Sequence, residues 1–234
     1  MIEALEGIHK LGFIHRDVKP SNFVMGPKNN TKKRNKAFLI DFGLARKFRL
    51  PSGEIRPPRK NAGFRGTARY ASINSHHKRE LGRADDIWSV FYAVVEFLKG
   101  SLPWMKMKDK DQIGQVKERE TNPELVKDLP PEFLTFLEHM QRLRYEDEPD
   151  YQLLKGLFQQ ILDRGRYTED TPFDWYMPMA AASPMTTSMV SMVTTRATDV
   201  VPVVSPEDKE DNNQNNVIVP QKPPKKTPCK CCIM

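Results

Sequence analysis

The sequence predicts an α+β fold that is mainly α-helical and ends in a disordered tail. Residues 85–98 place six large apolar side chains on one helical stripe, a pattern typical of a helix buried in a core. Two short apolar segments predict strands. Aromatic residues, whose side chains anchor hydrophobic cores, occur up to Tyr176 and not beyond it. The folded domain is therefore expected to end near that residue.

The N-terminal part of the chain combines one helix with two strands and a long loop. Apolar residues recur at helical spacing over residues 2–11, and Gly12 follows as a stop signal. Residues 23–25 and 37–40 predict short strands on either side of a basic turn. Residues 44–83 show little periodicity, and a loop of this length between helices suits a binding or catalytic site.

The rest of the domain is predicted to be helical. Weaker helical patterns cover residues 109–119, 131–143 and 151–163. We therefore assign one domain to residues 1–176. Residues 177–234 are rich in Met, Ser, Thr, Pro, Val and Asn, and we expect them to be mostly disordered.

Composition predicts a soluble protein of the cytoplasm. Hydrophobic residues make up 38% of the chain and charged residues 29%. No run approaches the ~20 apolar residues that a membrane-spanning helix needs, and the N-terminus lacks the apolar core of a signal peptide. All three cysteines lie within the last six residues, so we expect no disulfide framework. We expect a cytoplasmic monomer.

Positive charge is concentrated in the long loop. Eleven Lys or Arg residues and two acids lie between Arg46 and Arg83, a local excess of +9 against +7 for the whole chain. Such a stretch indicates an anionic partner. The alternative is a solvated basic face that binds polyanions without specificity. No motif for specific nucleic-acid recognition accompanies the charge.

Two short motifs carry the strongest functional signal. Residues 15–22 read HRDVKPSN, and residues 41–43, which begin nineteen positions after the first motif ends, read DFG. In this order, with two predicted strands between them, they resemble the catalytic loop and the magnesium-binding motif of protein kinases. The alternative is that Asp17 and Asp41 are ordinary loop carboxylates. The resemblance implies the large, C-terminal lobe of a kinase that uses ATP and Mg²⁺.

The resemblance implies a role for each polar motif residue. Asp17 would take the proton of the substrate hydroxyl, and Lys19 would contact the transferred phosphate. Asn22 and Asp41 would bind Mg²⁺ through oxygen atoms, the ligands that this hard cation prefers. The residues expected to bind the nucleotide and its metal are thus Lys19, Asn22 and Asp41.

Further residues narrow the resemblance. Lys19 and Thr67 imply a Ser/Thr kinase, because Thr67 in GTARY looks like the threonine that bridges the catalytic Asp and Lys. SIN at residues 72–74 stands where ordinary kinases have A-P-E, which marks the casein kinase 1 superfamily. RPPR, AGFRGTARYAS and VEFLKGSLPW look like segments of tau-tubulin kinases. The resemblance covers residues 1–176 and implies protein substrates with Ser or Thr.

Other roles follow from the same resemblance. Asp86 would be the buried aspartate that fixes the catalytic-loop backbone, while a helix cap made by Asp85 and Asp86 is the alternative reading. His15 and Phe42 are expected to pack the two motif loops together. The basic residues expected to bind an acidic or phosphorylated substrate are Arg46, Arg65, Arg69 and Lys78.

The parts of a kinase that cover ATP are not evident in this sequence. Fourteen residues precede His15, and no two glycines stand two positions apart, so there is no G-x-G-x-x-G loop. We therefore expect the small N-terminal lobe to be absent from this chain. Two hypotheses result. The chain is the catalytic half of an ATP-dependent Ser/Thr kinase, or it is a catalytically inactive, kinase-like docking module.

The C-terminus carries a lipidation signal. CCIM at residues 231–234 fits C-a-a-X with Met at X, which predicts farnesylation of Cys231. Cys229 is a candidate for palmitoylation, and a second lipid or a polybasic run makes membrane attachment stable. The lysines of such a run are Lys222, Lys225, Lys226 and Lys230. The alternatives are a chance match and a zinc site, and the latter lacks a fourth ligand nearby.

Overall fold

The computed structural model describes residues 1–27, 29–30, 33–120, 123–168, 171–173 and 176. Its helices are α1 (Ile2–Lys10), α2 (Ile73–His76), α3 (Arg83–Lys99), α4 (Lys110–Glu120), α5 (Pro123–Val126), α6 (Glu132–Arg142) and α7 (Tyr151–Arg164). Its strands are β1 (Phe13–Ile14), β2 (Phe23–Met25), β3 (Ala37–Leu39) and β4 (Arg46–Lys47). Every predicted helix and both predicted strands are confirmed, with ends that differ by at most two residues.

The strands form two antiparallel pairs that lie next to the two motifs. β2 pairs with β3, so this hairpin connects the end of residues 15–22 to the start of residues 41–43. β1 pairs with β4, with Ile14 opposite Arg46. β1 leads directly into the first motif and β4 follows the second. Each motif is therefore anchored to a paired strand on both sides.

Helix α3 runs through the core of the described domain. The Asp85 carboxylate accepts a hydrogen bond from the Gly82 amide at 2.7 Å and so caps the helix start. Gly100, with a φ of 77°, adopts the left-handed conformation that ends the helix. The six residues of the predicted stripe are all buried, at 8% exposure or less, and the expected core helix is confirmed. They are Ile87, Val90, Phe91, Val94, Val95 and Leu98.

Aromatic rings join α3 to the C-terminal helices. The rings of Phe91 and Phe136 lie 5.3 Å apart between centroids. Phe158 on α7 meets the rings of Phe133 and Phe136 edge-on, at 6.0 Å from each. Such pairs add to the stabilisation that burial of their apolar area provides. Helices α3, α6 and α7 therefore share one continuous core.

The segment predicted as a long loop is more ordered than expected. Residues 44–83 contain the two-residue strand β4 and the four-residue helix α2, which are too short to produce a periodic sequence pattern. The buried carboxylate of Glu80 accepts two hydrogen bonds from the Arg59 guanidinium. Burial would raise the pKa of Glu80, but Arg59 and Arg46 outweigh this effect and lower it. These ion pairs fix the middle of the segment.

Several predictions concern residues outside the described ranges. Residues 177–234 lie outside them, including Cys229 and Cys231. The disorder of this tail, its lipidation and the domain boundary near residue 176 stay predictions. In the part of the chain that the structure describes, no helix is both long and apolar enough to span a lipid bilayer.

Truncation of Phe91 tests the importance of α3 for the core. Its ring is fully buried, so Phe91→Ala should lower the free energy of unfolding by about 3–5 kcal/mol through lost burial and a cavity. Urea unfolding followed by circular dichroism should show a lower midpoint with an unchanged slope. Leu134→Ala removes a side chain that is 41% exposed on α6, and its effect should stay within about 0.5 kcal/mol. A similar midpoint for both variants would contradict the assignment of α3 as the core helix.

Candidate active site

The carboxylate of Asp86 fixes the backbone of the first motif. It is 1% exposed and accepts hydrogen bonds from the amides of His15, at 2.6 Å, and Arg16, at 2.7 Å. The adjacent Asp85 caps α3 instead. Asp85 therefore caps the helix, whereas Asp86 binds the backbone of the first motif. The predicted contact of Asp86 with the loop is confirmed.

A buried polar chain connects Asp86 to two further helices. The Nε2 atom of His9 in α1 lies 2.9 Å from Asp86, and its Nδ1 atom lies 2.7 Å from the hydroxyl of Tyr151 in α7. His9 is 2% exposed. Buried polar groups are stabilising when each finds a partner, and a connected chain of them specifies one arrangement of the helices. The position of the first motif is thereby linked to α1, α3 and α7.

Arg16 holds an uncommon backbone conformation. Its φ of 68° lies in the left-handed region, which costs a non-glycine residue about 1–2 kcal/mol. The hydrogen bond to Asp86 offsets this cost, as does the bond from the Arg16 Nε atom to the Leu44 carbonyl at 2.7 Å. Burial lowers the pKa of Arg16, and so does repulsion from neighbouring cations. These cations are Arg46, Arg59 and Arg65.

His15 joins the two motifs. Its Nε2 atom lies 3.0 Å from the carbonyl of Ile40, the residue before Asp41, and its ring is fully buried. The predicted packing role of His15 is confirmed. Phe42 meets the His15 ring edge-on at 5.3 Å, yet 49% of Phe42 is exposed. The expectation of a packed Phe42 is therefore only half correct, because one side of its ring faces open space among the described residues.

The side chains of Asp17, Lys19 and Thr67 form one hydrogen-bonded group. The Lys19 ammonium lies 2.7 Å from Asp17 Oδ2 and 3.4 Å from the Thr67 hydroxyl. That hydroxyl donates to Asp17 Oδ1 at 2.8 Å. The Asp17 side chain is 11% exposed, and each of its oxygens has a second lone pair. Asp17 can therefore still accept a hydrogen bond from another molecule.

Gly66 allows Thr67 to reach Asp17. Its φ of 92° lies in the left-handed region, and a Cβ atom there would stand 2.6 Å from the carbonyl oxygen of Arg16. A side chain would clash with the backbone of the first motif, so only glycine fits this close approach. The first motif and the segment that contains Thr67, which are distant in sequence, can therefore approach each other at Gly66.

Asn22 contacts Asp17, and Asp41 follows a residue whose backbone is bonded to Asn22. The Asn22 amide nitrogen donates to the Asp17 carbonyl at 2.9 Å, which leaves the amide oxygen available to a cation. The Ile40 amide donates to the Asn22 carbonyl at 2.9 Å. This bond places Asp41, the residue after Ile40, close to the start of β2. The Asp41 carboxylate is exposed and accepts one weak hydrogen bond from the Gly43 amide, at 3.3 Å. One neutral and one charged oxygen ligand fit Mg²⁺, which takes its remaining ligands from phosphate and water.

Within the described residues, no group of three or more His, Cys, Asp or Glu side chains could hold a metal by itself. Mg²⁺ is commonly bound through one or two protein groups together with the phosphates of a substrate.

A basic cleft of about 570 Å³ opens beside the Asp17 group. Lys19 and Thr67 form one side of it, and Trp104 forms part of the apolar wall. The cleft also contains Arg69 and Lys108, and none of the residues that line it is acidic. Such a cleft attracts an anionic or acid-rich chain to the neighbourhood of Asp17.

The four basic residues expected to bind substrate do not all line the cleft. Arg69 lines the cleft, with its guanidinium 3.4 Å from Glu96. Arg46 lies 3.5 Å from Glu80, and Arg65 donates to the carbonyl of its neighbour Phe64. Lys78 is exposed. Arg69 is thus the member of the set that lines the cleft, whereas Arg46 and Arg65 lie close enough to Arg16 to lower its pKa by repulsion.

Some residues of the site escape detection in the sequence. His9 reads as a polar position of an amphipathic helix, and Tyr151 as the start of another. Their contact spans 142 positions, which no local pattern reports. Lys108 and Trp104 follow the long loop, and the structure alone places them on the cleft wall. A polar residue on the apolar face of a helix is the signal that was available for His9.

Comparison with known proteins agrees with this geometry. Residues 1–155 match the family model described as the protein kinase domain. A probable serine/threonine-protein kinase of Dictyostelium discoideum is 57% identical over 175 residues, which cover 75% of this chain and 35% of that protein. The chain thus spans about a third of the length of this curated relative. On the family match and this identity, the chain belongs to the protein kinase domain family.

Proposed function

We propose that this chain supplies the catalytic residues of a protein kinase that transfers the γ-phosphoryl group of ATP to serine or threonine hydroxyls. The observation that carries the proposal is the hydrogen-bonded group of Asp17, Lys19 and Thr67 at the edge of the basic cleft. In this proposal residues 1–176 are the large lobe of the kinase.

Asp17 acts on the acceptor hydroxyl. Its carboxylate accepts the hydrogen bond of a Ser or Thr side chain in the cleft, orients that oxygen and takes its proton as the new P–O bond forms. Lys19 balances the negative charge of Asp17 and of the transferred phosphoryl group. Thr67 holds the carboxylate at its second oxygen, so Asp17 keeps one orientation.

Asn22 and Asp41 would hold Mg²⁺ together with the phosphates of ATP. When bound, this ion would neutralise charge on the phosphates and favour departure of ADP. The residues of the chain provide the ligand oxygens and fix them. Asn22 is fixed by its bond to the Asp17 carbonyl, and Asp41 lies beyond the β2–β3 hairpin.

The SIN segment supports a place near casein kinase 1 and the tau-tubulin kinases. Ser72 accepts a hydrogen bond from the Ser75 amide at 3.3 Å and so caps α2. The Asn74 amide donates to the Asp85 carboxylate at 3.0 Å, which joins α2 to the start of α3. Both contacts require the side chains of this segment, and A-P-E could not make them in the same way. The proposal therefore includes membership of the casein kinase 1 superfamily, near the tau-tubulin kinases.

Acid-rich protein segments are the proposed substrates. Three basic side chains and no acidic one line the cleft. Lys19 pairs with Asp17 and Arg69 lies 3.4 Å from Glu96, so a substrate with Asp, Glu or phosphate near its target hydroxyl would form its charge-assisted hydrogen bonds with Lys108 and with the outer face of Arg69. The competing function is a docking module that binds such segments without phosphorylating them. The arrangement around Asp17 favours catalysis, because docking alone does not need the Asp17–Lys19–Thr67 contacts.

Asp17→Asn tests the catalytic proposal. The amide keeps the shape of the side chain but cannot take a proton, so turnover should fall about 10²–10⁴-fold with little change in thermal stability. Transfer of labelled phosphate from Mg·ATP to Ser/Thr peptides measures this loss, in the full chain and in any longer form that carries a small lobe. Asp163→Asn, at an exposed site on α7, should leave turnover unchanged. Near-normal activity of Asp17→Asn would exclude Asp17 as the base, and binding without phosphorylation in every form would favour the docking module.

Arg69→Gln tests the preference for acidic substrates. Loss of one charge-assisted contact should raise KM for an acid-rich peptide by about tenfold. KM for a neutral Ser peptide should change little, because that peptide makes no ion pair with Arg69. Steady-state rates measured at low ionic strength give KM for each of the two peptides. Arg142→Gln, at an exposed site on α6, is the matched control. Equal effects of Arg69→Gln on both peptides would contradict an electrostatic role in substrate choice.

A further inference from the structure

A lysine lies fully buried behind the cleft. Lys117 in α4 is 0% exposed and is among the largest fully buried side chains of the described domain. Burial of an ammonium group is costly unless the group is hydrogen-bonded. The hydrogen-bond partners of Lys117 therefore indicate which part of the site this lysine stabilises. Burial also lowers the pKa of Lys117 well below the ordinary value. Nothing in the Asp17 chemistry described above uses this residue.

The partners of Lys117 are backbone carbonyls next to Thr67. The ammonium donates to the carbonyl of Ala68 at 2.8 Å and to that of Ala71 at 2.5 Å. It also lies 4.7 Å from the ring centroid of Tyr92 and 5.1 Å from that of Trp104. Two aromatic faces stabilise the cation in its apolar surroundings.

Trp104 contributes a third bond to the same segment. Its indole Nε1 atom donates to the carbonyl of Arg69 at 2.8 Å. Within the segment, the amides of Tyr70 and Ala71 both donate to the Thr67 carbonyl at 2.9 Å. Three carbonyls in residues 67–71 are therefore bound by donors from outside the segment, and the segment is closed by its own turn.

We propose that Lys117 is a positioning residue that, together with Trp104, fixes residues 67–71 in the conformation that the site requires. At one end of this segment Thr67 contacts Asp17, and in its middle Arg69 lines the cleft. A shift of the backbone would separate the Thr67 hydroxyl from Asp17. The effect on phosphoryl transfer rests on the proposed function, whereas the effect on the backbone does not.

An apolar residue could fill the same space but could not replace the two bonds. Lys117→Met keeps a long flexible side chain and leaves the carbonyls of Ala68 and Ala71 without their donor. Trp104→Phe keeps a ring in the wall and removes the bond to Arg69. The two variants therefore remove different donors from one segment. Lys155→Met is the matched control, because Lys155 is a partly exposed lysine of α7 that pairs with Glu6 of α1, 2.8 Å away, and does not contact residues 67–71.

Amide hydrogen exchange measured by mass spectrometry tests the proposal without any need for activity. Lys117→Met should speed exchange in peptides that cover residues 67–71 by about tenfold or more, with α3 and α7 unchanged. Trp104→Phe should produce a smaller increase in the same peptides, and Lys155→Met none. If the enzyme is active, Lys117→Met should also lower kcat while KM for Mg·ATP stays the same.

Two results would overturn the proposal. One is unchanged exchange over residues 67–71 in a folded Lys117→Met variant. The other result concerns the case in which Lys117→Met destabilises the whole domain, which loss of protection from exchange in α3 would reveal. Trp104→Phe then decides, and unchanged exchange in this variant would show that buried donors do not position the segment. Absence of kinase activity in every form, including one that carries a small lobe, would contradict the proposed function, and the exchange rates would still decide whether Lys117 positions the segment.

Discussion

The candidate active site depends on one buried carboxylate. Asp86 accepts backbone hydrogen bonds from His15 and Arg16 while the ring of His9 contacts it from α1. These bonds compensate for burial of the charge and for the left-handed backbone of Arg16. Because Asp17 follows Arg16 directly, its orientation follows from this anchor. The helix core thus determines where the Asp17 carboxylate lies.

The site joins two segments that are anchored independently. The first motif is attached to α3 through Asp86, and residues 67–71 are bonded to Lys117 in α4 and to Trp104. They meet where Gly66 allows the two backbones to approach and Thr67 reaches Asp17. Each segment is fixed by bonds to its backbone, so its side chains remain available for chemistry. Preorganisation of this kind reduces the reorganisation that a reaction would otherwise require.

The sequence predicts the helices well and the tertiary polar contacts poorly. The apolar stripe of α3 repeats over about three turns, from Ile87 to Leu98, which produces a clear pattern, and its burial follows from that pattern. The strands β1 and β4 have two residues each, which is too short to produce a periodic sequence pattern. The motifs identify Asp17, Lys19, Asn22, Asp41 and Thr67, but their distances become visible only in three dimensions. The pairing of Glu80 with Arg59 spans 21 positions, and the hydrogen bonds of Lys117 to backbone carbonyls span 46 positions or more, so local periodicity carries no information about them.

Amide exchange at His15 and Arg16, measured by NMR in Asp86→Asn, tests the dependence of the site on Asp86 most directly. The amide group of asparagine offers a donor where one backbone N–H needs an acceptor. Exchange of these two amides should therefore rise by about tenfold or more, while the α7 amides keep their protection. Asp85→Asn is the control on the neighbouring residue and should affect Gly82 instead, because Asp85 binds that amide. Unchanged protection of His15 and Arg16 in Asp86→Asn would contradict the dependence of the site on this carboxylate.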